Sequence, residues 1–390
     1  MIKERYLTLP IAEDLKEKMV FLAGPRQVGK TTLARVLLGA RFGEVAYFNW
    51  DNLQDRRRVT ASEWPGSAEL IILDEIHKLK TWKRFVKGEY DLHKGRYHFL
   101  VTGSARLDIY RKGGDSLQGR YHRYRLHPFS LAEMTDEARE IRPFDEPPAG
   151  SAHRRGDFEA LLRFGGFPEP LLSQNERTLR RWHAERNERL FREDIRDVEM
   201  VRDIGKMQML SDALPSRAGG LLSINALRED LEVSHRAASH WLNILEVFYY
   251  HFRVYPFSRV SFRSLRKEPK VYLWDWSEIQ NEAARFENVV ASHLLKLVHW
   301  LRDREGYKAD LRFLRDTSQR EADFLVTVDE KPWFAVEAKL QDDEPAGALK
   351  YFREKLKIPF AYQVTRKSGL DKRSEGVRVI SADKLLAGWV

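Results

Sequence analysis

Eight consecutive residues, Gly24-Pro25-Arg26-Gln27-Val28-Gly29-Lys30-Thr31, fit the spacing Gly-x-x-x-x-Gly-Lys-Thr without a gap. The flanks constrain the fold further. Met19-Val20-Phe21-Leu22-Ala23 reads as a buried strand, and Thr32 to Leu38 reads as an amphipathic helix. A glycine-rich turn between a strand and a helix lets successive backbone N–H groups face phosphate oxygens at the positive end of the helix. Gly24 to Thr32 are therefore the expected nucleotide-binding residues. Lys30 would neutralise β- and γ-phosphate charge, and the Thr31 hydroxyl would ligate Mg²⁺. ATP and Mg²⁺ are the expected cofactors.

Leu70-Ile71-Ile72-Leu73-Asp74-Glu75 is an apolar run that ends in two acids. Such a run suits a strand buried on both faces. Asp74 is expected to hold Mg²⁺ at the strand end. Glu75 is expected to polarise the attacking water as general base. Short strands predicted at 19–23, 45–49, 70–74, 98–102 and 121–126 alternate with helical stretches, among them Trp82 to Tyr90. This alternation predicts an α/β fold with a parallel sheet covered on both faces.

The remainder of the chain is long enough for further domains, since there are 390 residues in all. No apolar stretch reaches the length of a membrane span. Charged residues at the very start and the lack of an apolar signal core lead us to expect a cytoplasmic protein. Cysteine is absent, which excludes disulfides and thiolate metal sites. A net charge of +9 favours a polyanionic partner. DNA is the expected one, with no membrane partner.

Proline and glycine are dense between Ile141 and Ser151, which reads as a linker or loop. Phe158 to Phe164 looks helical and stops at Gly165-Gly166. Residues 176–204 form a helical stretch of mixed charge, by default a solvated or lid-like helix. Residues 211–256 look like a winged helix-turn-helix. Ser223 to Leu231 gives a short helix, Ser234 caps a second one running from His235 to Tyr250, and Ala238, Trp241, Leu242, Leu245 and Phe248 form its apolar stripe. Arg236, Ser239, His240 and Asn243 lie on the other face, where second helices of this motif meet a DNA groove. Arg259 to Lys267 is a basic wing candidate. A packing module with an ordinary basic surface would give the same pattern.

The last third contains Glu287 on a helix and two predicted strands, Arg320 to Val328 and Trp333 to Leu340. Glu337 and Lys339 share one strand face, about 7 Å apart along the strand. Asp323 on one strand and Glu337-x-Lys339 on the next is the arrangement of metal-dependent nucleases of the PD-(D/E)xK type. Asp323 and Glu337 would bind Mg²⁺, Lys339 would serve the attacking water, and Glu287 would lie close by. Alternating charges on a solvated strand would look the same.

These motifs occur in a recognisable order. The chain resembles a large bacterial and archaeal family of AAA-type ATPases that carry a C-terminal domain with a restriction-endonuclease-like core. The resemblance rests on Gly24 to Thr32, Leu73-Asp74-Glu75-Ile76-His77, Thr102-Gly103-Ser104, Ser116-Leu117-Gln118-Gly119-Arg120 and Gly165-Gly166-Phe167-Pro168. It rests equally on Pro269-Lys270-Val271-Tyr272, Phe286-Glu287-Asn288, Glu321-Ala322-Asp323-Phe324 and Val336-Glu337-Ala338-Lys339. It implies a P-loop ATPase domain at 1–135, a helical lid or linker at 136–208, a winged helix at 209–268 and a nuclease-like α/β domain at 269–390. Ser104 sits where ATPases of this type place a polar sensor of the γ-phosphate. Arg120 would approach that phosphate in cis or from a neighbouring copy, or else pair with a surface acid. Assembly of several copies is compatible with this. Two roles are left open for the C-terminal domain, DNA cleavage or binding alone; in the second case the chain would be an ATP-gated regulatory switch for DNA or for protein partners.

Overall fold

A computed structural model of the chain describes residues 3–103, 117–137, 139–195, 203–258 and 267–390. The chain divides into two compact units, Met1–His127 and Pro128–Val390. Ser104, Ser116 and the wing candidates Arg259, Arg263 and Arg266 lie outside the described residues.

The first unit is built on five strands: β1 Met19–Ala23, β2 Val45–Asn49, β3 Leu70–Asp74, β4 His98–Thr102 and β5 Tyr121–Arg125. Every pairing is parallel, in the order β2-β3-β4-β1-β5. All residues of β1 and β3 are buried. That explains why they read as unbroken apolar runs rather than alternating ones. The chain leaves β1, crosses to the far edge, and returns strand by strand until β4 lies beside β1. The C-terminal ends of β1, β4 and β3 thus stand side by side, where parallel sheets form their ligand crevice. The fifth strand ends at Arg125, one residue short of expectation, and Leu126 N–H bonds to Ala23 O at 2.9 Å.

The second unit holds helices Arg155–Phe164, Glu176–Arg189, Ile224–Asp230 and His235–Val247, followed by a large sheet. Its strands are β6 His251–Pro256, β7 Lys270–Leu273, β8 Ala309–Arg315, β9 Glu321–Val328, β10 Lys331–Lys339, β11 Phe360–Thr365, β12 Asp371–Ser374 and β13 Val377–Ser381. The order is β12-β13-β11-β10-β9-β8-β6-β7. The strand β6, which follows the helix pair, pairs with β7 and also with β8. The expected boundary at 268/269 therefore falls between two strands of one sheet.

Ser234 caps the second helix as expected, and Ser223, read as the first residue of the short helix, caps it instead. Ser223 Oγ accepts from Ala226 N–H at 3.4 Å and Ser234 Oγ from Ala237 N–H at 3.1 Å. The stripe Ala238, Trp241, Leu242, Leu245 and Phe248 is buried, and Arg236, His240 and Asn243 are exposed. The second helix stops at Val247 rather than Tyr250. Tyr249 turns to a positive φ of 59°, and Tyr250 N–H bonds back to Leu245 O at 2.9 Å. The charged helix Glu176–Arg189 is not merely solvated. Its Leu179 and Trp182 are buried, and the Arg186 guanidinium lies 4.9 Å from the Phe167 ring centroid and 2.9 Å from Glu278. Few apolar positions are enough to anchor it, and the charges around them mask the pattern.

In the long helix Glu282–Asp303, Asn288 clamps the backbone of β7. Asn288 is fully buried, accepts from Leu273 N–H at 2.7 Å and donates to Leu273 O at 2.8 Å. Asn288→Leu leaves two buried backbone groups without partners and is expected to lower stability by about 2–4 kcal/mol. Chemical denaturation of the two proteins measures this; equal midpoints and slopes would contradict it.

Candidate nucleotide site and carboxylate pocket

The loop after β1 is shaped by backbone that few side chains tolerate. Gly24 has φ +150°, and a Cβ there would stand 2.6 Å from Leu126 O. Gln27 and Gly29 also take positive φ, 60° and 98°. The loop is tied from below by Arg5, whose guanidinium donates to Val28 O at 2.8 Å and to His127 O at 2.5 Å. Lys30 opens the following helix, and its ammonium spans the loop, donating to Gly24 O at 2.9 Å and Pro25 O at 2.7 Å.

Asp74 ends β3 and is buried. Its carboxylate accepts from Thr102 at 2.6 Å, Tyr47 at 2.7 Å and Thr31 at 3.5 Å. Neither Tyr47 nor Thr102 is expected from sequence, because their roles depend on β2 and β4 flanking β3. Burial, then the Asp74 carboxylate, pushes the Tyr47 hydroxyl well up, so it stays a donor. Thr31 and Asp74 together offer the oxygen donors that Mg²⁺ prefers, beside Lys30 and the loop, so these residues fit a Mg²⁺–nucleotide.

Glu75 follows at φ 57°, with its N–H bonded to Thr102 O at 2.9 Å. This turn sends its carboxylate away from the line of the strand. It lies 3.3 Å from His77 and 3.9 Å from Lys78. Burial raises its pKa, against the pull of Lys30. A raised carboxylate is a better proton acceptor than an ordinary one.

Arg120 is set elsewhere. It precedes β5, and its carbonyl accepts from Met19 N–H at 3.1 Å, at the start of β1. The strands are parallel, so the loop lies at the other end, about 13 Å along β1. Its guanidinium donates to Asp91 at 2.8 and 3.2 Å. The expectation that Arg120 reaches the γ-phosphate in cis is therefore corrected; within its own chain it pairs with a surface acid.

In the second unit the expected acids converge. The pairing of β9 with β10 runs from Val328↔Lys331 to Phe324↔Val336. Beyond it, side chains take over from the ladder. Asp323 N–H donates to Glu337 Oε2 at 3.2 Å, and Ala338 N–H donates to Asp323 Oδ2 at 3.0 Å. Lys339 Nζ lies 2.8 Å from Glu337 Oε1. Glu337 is only 5% exposed, so β10 is not a solvated strand at this point. Glu287 joins the group through Lys270, which the sequence presents only as part of a motif. Lys270 Nζ lies 2.7 Å from Glu321, 3.1 Å from Asp323 and 3.3 Å from Glu287. The Tyr272 hydroxyl donates to Glu287 at 2.7 Å. The Lys-x-Tyr spacing on a strand, which sends both side chains to one face, is the available signal.

Burial, then the Asp323 charge, pushes Glu287 and Glu337 up to about 7. A carboxyl group whose folded value exceeds its ordinary 4.5 stabilises the fold fully below pH 4.5 and loses that contribution as pH rises through about 7. Glu337→Gln removes one such group. Its melting temperature should therefore fall less than that of the parent between pH 4.5 and pH 8. Parallel melting curves across this range would contradict the assignment.

Comparison with known proteins divides the chain in three. Residues 16–135 match an AAA domain model. Residues 155–280 and 283–385 match two domains of unknown function, DUF8612 and DUF4143. The uncharacterized protein MJ1544 of Methanocaldococcus jannaschii is 21% identical over 367 residues, covering 88% of this chain and 80% of that protein. The uncharacterized protein Rv2008c of Mycobacterium tuberculosis is 23% identical over 259 residues, covering 66% of this chain and about half, 54%, of that protein. Among solved structures, the Aeropyrum pernix Orc1 protein in complex with DNA overlaps with TM-score 0.34 and 14% identity, covering 75% of this chain and 93% of that one. The Thermotoga maritima RuvB Holliday junction branch migration motor overlaps with TM-score 0.31 and 17% identity, covering 64% and 87%. Overlaps at such scores do not define a common fold. The matched segment, the parallel sheet and the loop agree: residues 16–135 form an AAA-type domain of the P-loop kind.

Proposed function

We propose that this chain is an ATP- and Mg²⁺-dependent ATPase whose second unit binds DNA, with nucleotide state governing that binding. The observation that carries the reading is the meeting of Lys30, Thr31, Asp74 and Glu75 at the C-terminal ends of β1 and β3. The backbone N–H groups of Gly24 to Thr31 and the Lys30 ammonium would hold the phosphates, with Thr32 next on the helix. Thr31 and Asp74 would hold Mg²⁺, which when bound supplies charge neutralisation on the β- and γ-oxygens. The Glu75 carboxylate takes the proton of the attacking water.

For DNA, support comes from the net charge of +9 and from the exposed Arg236, His240 and Asn243 on the second helix of the pair. Among the described residues no helix is long and apolar enough to cross a membrane. We read the C-terminal pocket as non-cleaving, because each oxygen of Asp323 and Glu337 already faces a protein donor. The convergence of Glu287, Asp323, Glu337 and Lys339 favours a second reading, in which the pocket hydrolyses phosphodiesters.

Lys30→Ala is expected to weaken ATP binding more than tenfold. Glu75→Gln should bind ATP within about threefold of the parent while hydrolysis drops by about 10²–10⁴. Nucleotide titration and phosphate release measure the two effects separately. A Glu75→Gln protein that hydrolyses at the parental rate would overturn the assignment of the base.

Neutralising Arg259, Arg263, Arg266 and Lys267 together should weaken binding to any DNA sequence. It should also flatten the slope of log affinity against log salt, by about 0.9 for each phosphate that is no longer neutralised. An unchanged affinity and slope would place these side chains away from DNA.

A further inference from the structure

The carboxylate pocket of the second unit contains its own cation. Lys270 is the first residue of β7, and its side chain is 4% exposed. Its ammonium has three hydrogens, and three carboxylates stand around it, Glu321, Asp323 and Glu287, at 2.7 to 3.3 Å. The shell is therefore complete without water. Donors also meet other oxygens of the pocket: Ala338 N–H on Asp323 Oδ2, Asp323 N–H on Glu337 Oε2 and Lys339 on Glu337 Oε1.

The backbone keeps this lysine in place. Lys270 pairs with Val254 of β6 on one side and bridges to Leu221 on the other. Asn288 clamps the strand at Leu273. Glu287 is closed in by Gly219, where a Cβ would stand 3.2 Å from its carboxylate. The strand that carries the ammonium is thus held on both edges, and the side chain itself is enclosed.

A divalent cation on Asp323 would compete for the same space. Mg²⁺ needs oxygens at about 2.0–2.1 Å in near-octahedral order, and it would sit within a few Å of a fixed positive charge. The carboxylates suit a metal, but the shell as built suits an ammonium.

We propose that Lys270 is the resident cation of this pocket, bonding Glu287, Glu321 and Asp323 and offsetting part of their charge in place of a divalent metal, and that removing its charge turns the same carboxylates into a divalent-cation site. This goes beyond the ATP-driven reading and concerns the second unit alone.

The test is Mn²⁺ binding to the full chain, free of nucleotide and stripped with EDTA, followed by electron paramagnetic resonance and by melting temperature. The parent and Asp323→Asn should bind Mn²⁺ alike. Lys270→Met should melt about 10 °C lower in EDTA. It should gain one Mn²⁺ site and recover most of that loss at saturation, and Lys270→Met/Asp323→Asn should gain none. Lys270→Arg keeps the charge and should bind no Mn²⁺ in this pocket. A parent that binds Mn²⁺ more tightly than Asp323→Asn would overturn the proposal, and so would a folded Lys270→Met that gains no site. If Lys270→Met fails to fold, the comparison of parent with Asp323→Asn still decides.

Discussion

The buried carboxylate of Asp74 is the point on which the first unit is organised. Hydroxyls from β2, from the end of β4 and from the start of the helix after the loop all donate to it. A carboxylate removed from water is costly unless it is hydrogen-bonded, so these partners are a condition of its burial. They also impose the strand order. Tyr47 and Thr102 can both reach Asp74 only if β2 and β4 lie on either side of β3, as they do. The oxygen donors for a cation are thereby fixed beside the phosphate-binding loop by the fold itself, which is how a site avoids reorganising when charge arrives.

The two units treat their acids in opposite ways. Around Asp74 the donors are neutral hydroxyls. Such a donor can yield an oxygen to a cation without placing two positive charges together. Around Asp323 and Glu287 the donor is a buried ammonium, held by the sheet. One site is prepared for an incoming cation, and the other already contains one. On the proposed reading, this contrast would separate nucleotide chemistry in the first unit from a binding role in the second. Residue types alone would not reveal it, since both sites are pairs of acids near a lysine.

How much of this can be read from sequence follows the range of the interactions. The loop and all five strands of the first unit are legible because their signals are local: a fixed glycine spacing, and strands so buried that they are apolar throughout. The cap Ser234 is legible for the same reason. Tyr47, Thr102 and Lys270 gain no role from sequence, because each acts on a carboxylate brought close only by sheet pairing. Sequence leaves Arg120 open between the γ-phosphate and a surface acid, because nearness in sequence to the strand at 98–102 says nothing of which end of a parallel sheet a residue occupies. The helix Glu176–Arg189 reads by its charges, while its attachment depends on Trp182 and on the half of Arg186 that packs against rings.

The most direct test of the account is the Mg²⁺ dependence of ATP hydrolysis in the parent, Asp74→Asn and Asp323→Asn, measured by phosphate release under saturating ATP. Turnover is expected to require Mg²⁺, to fall by about 10²-fold or more in Asp74→Asn, and to keep the parental rate in Asp323→Asn. Turnover by the parent in EDTA, or an Asp74→Asn protein as fast as the parent, would contradict it.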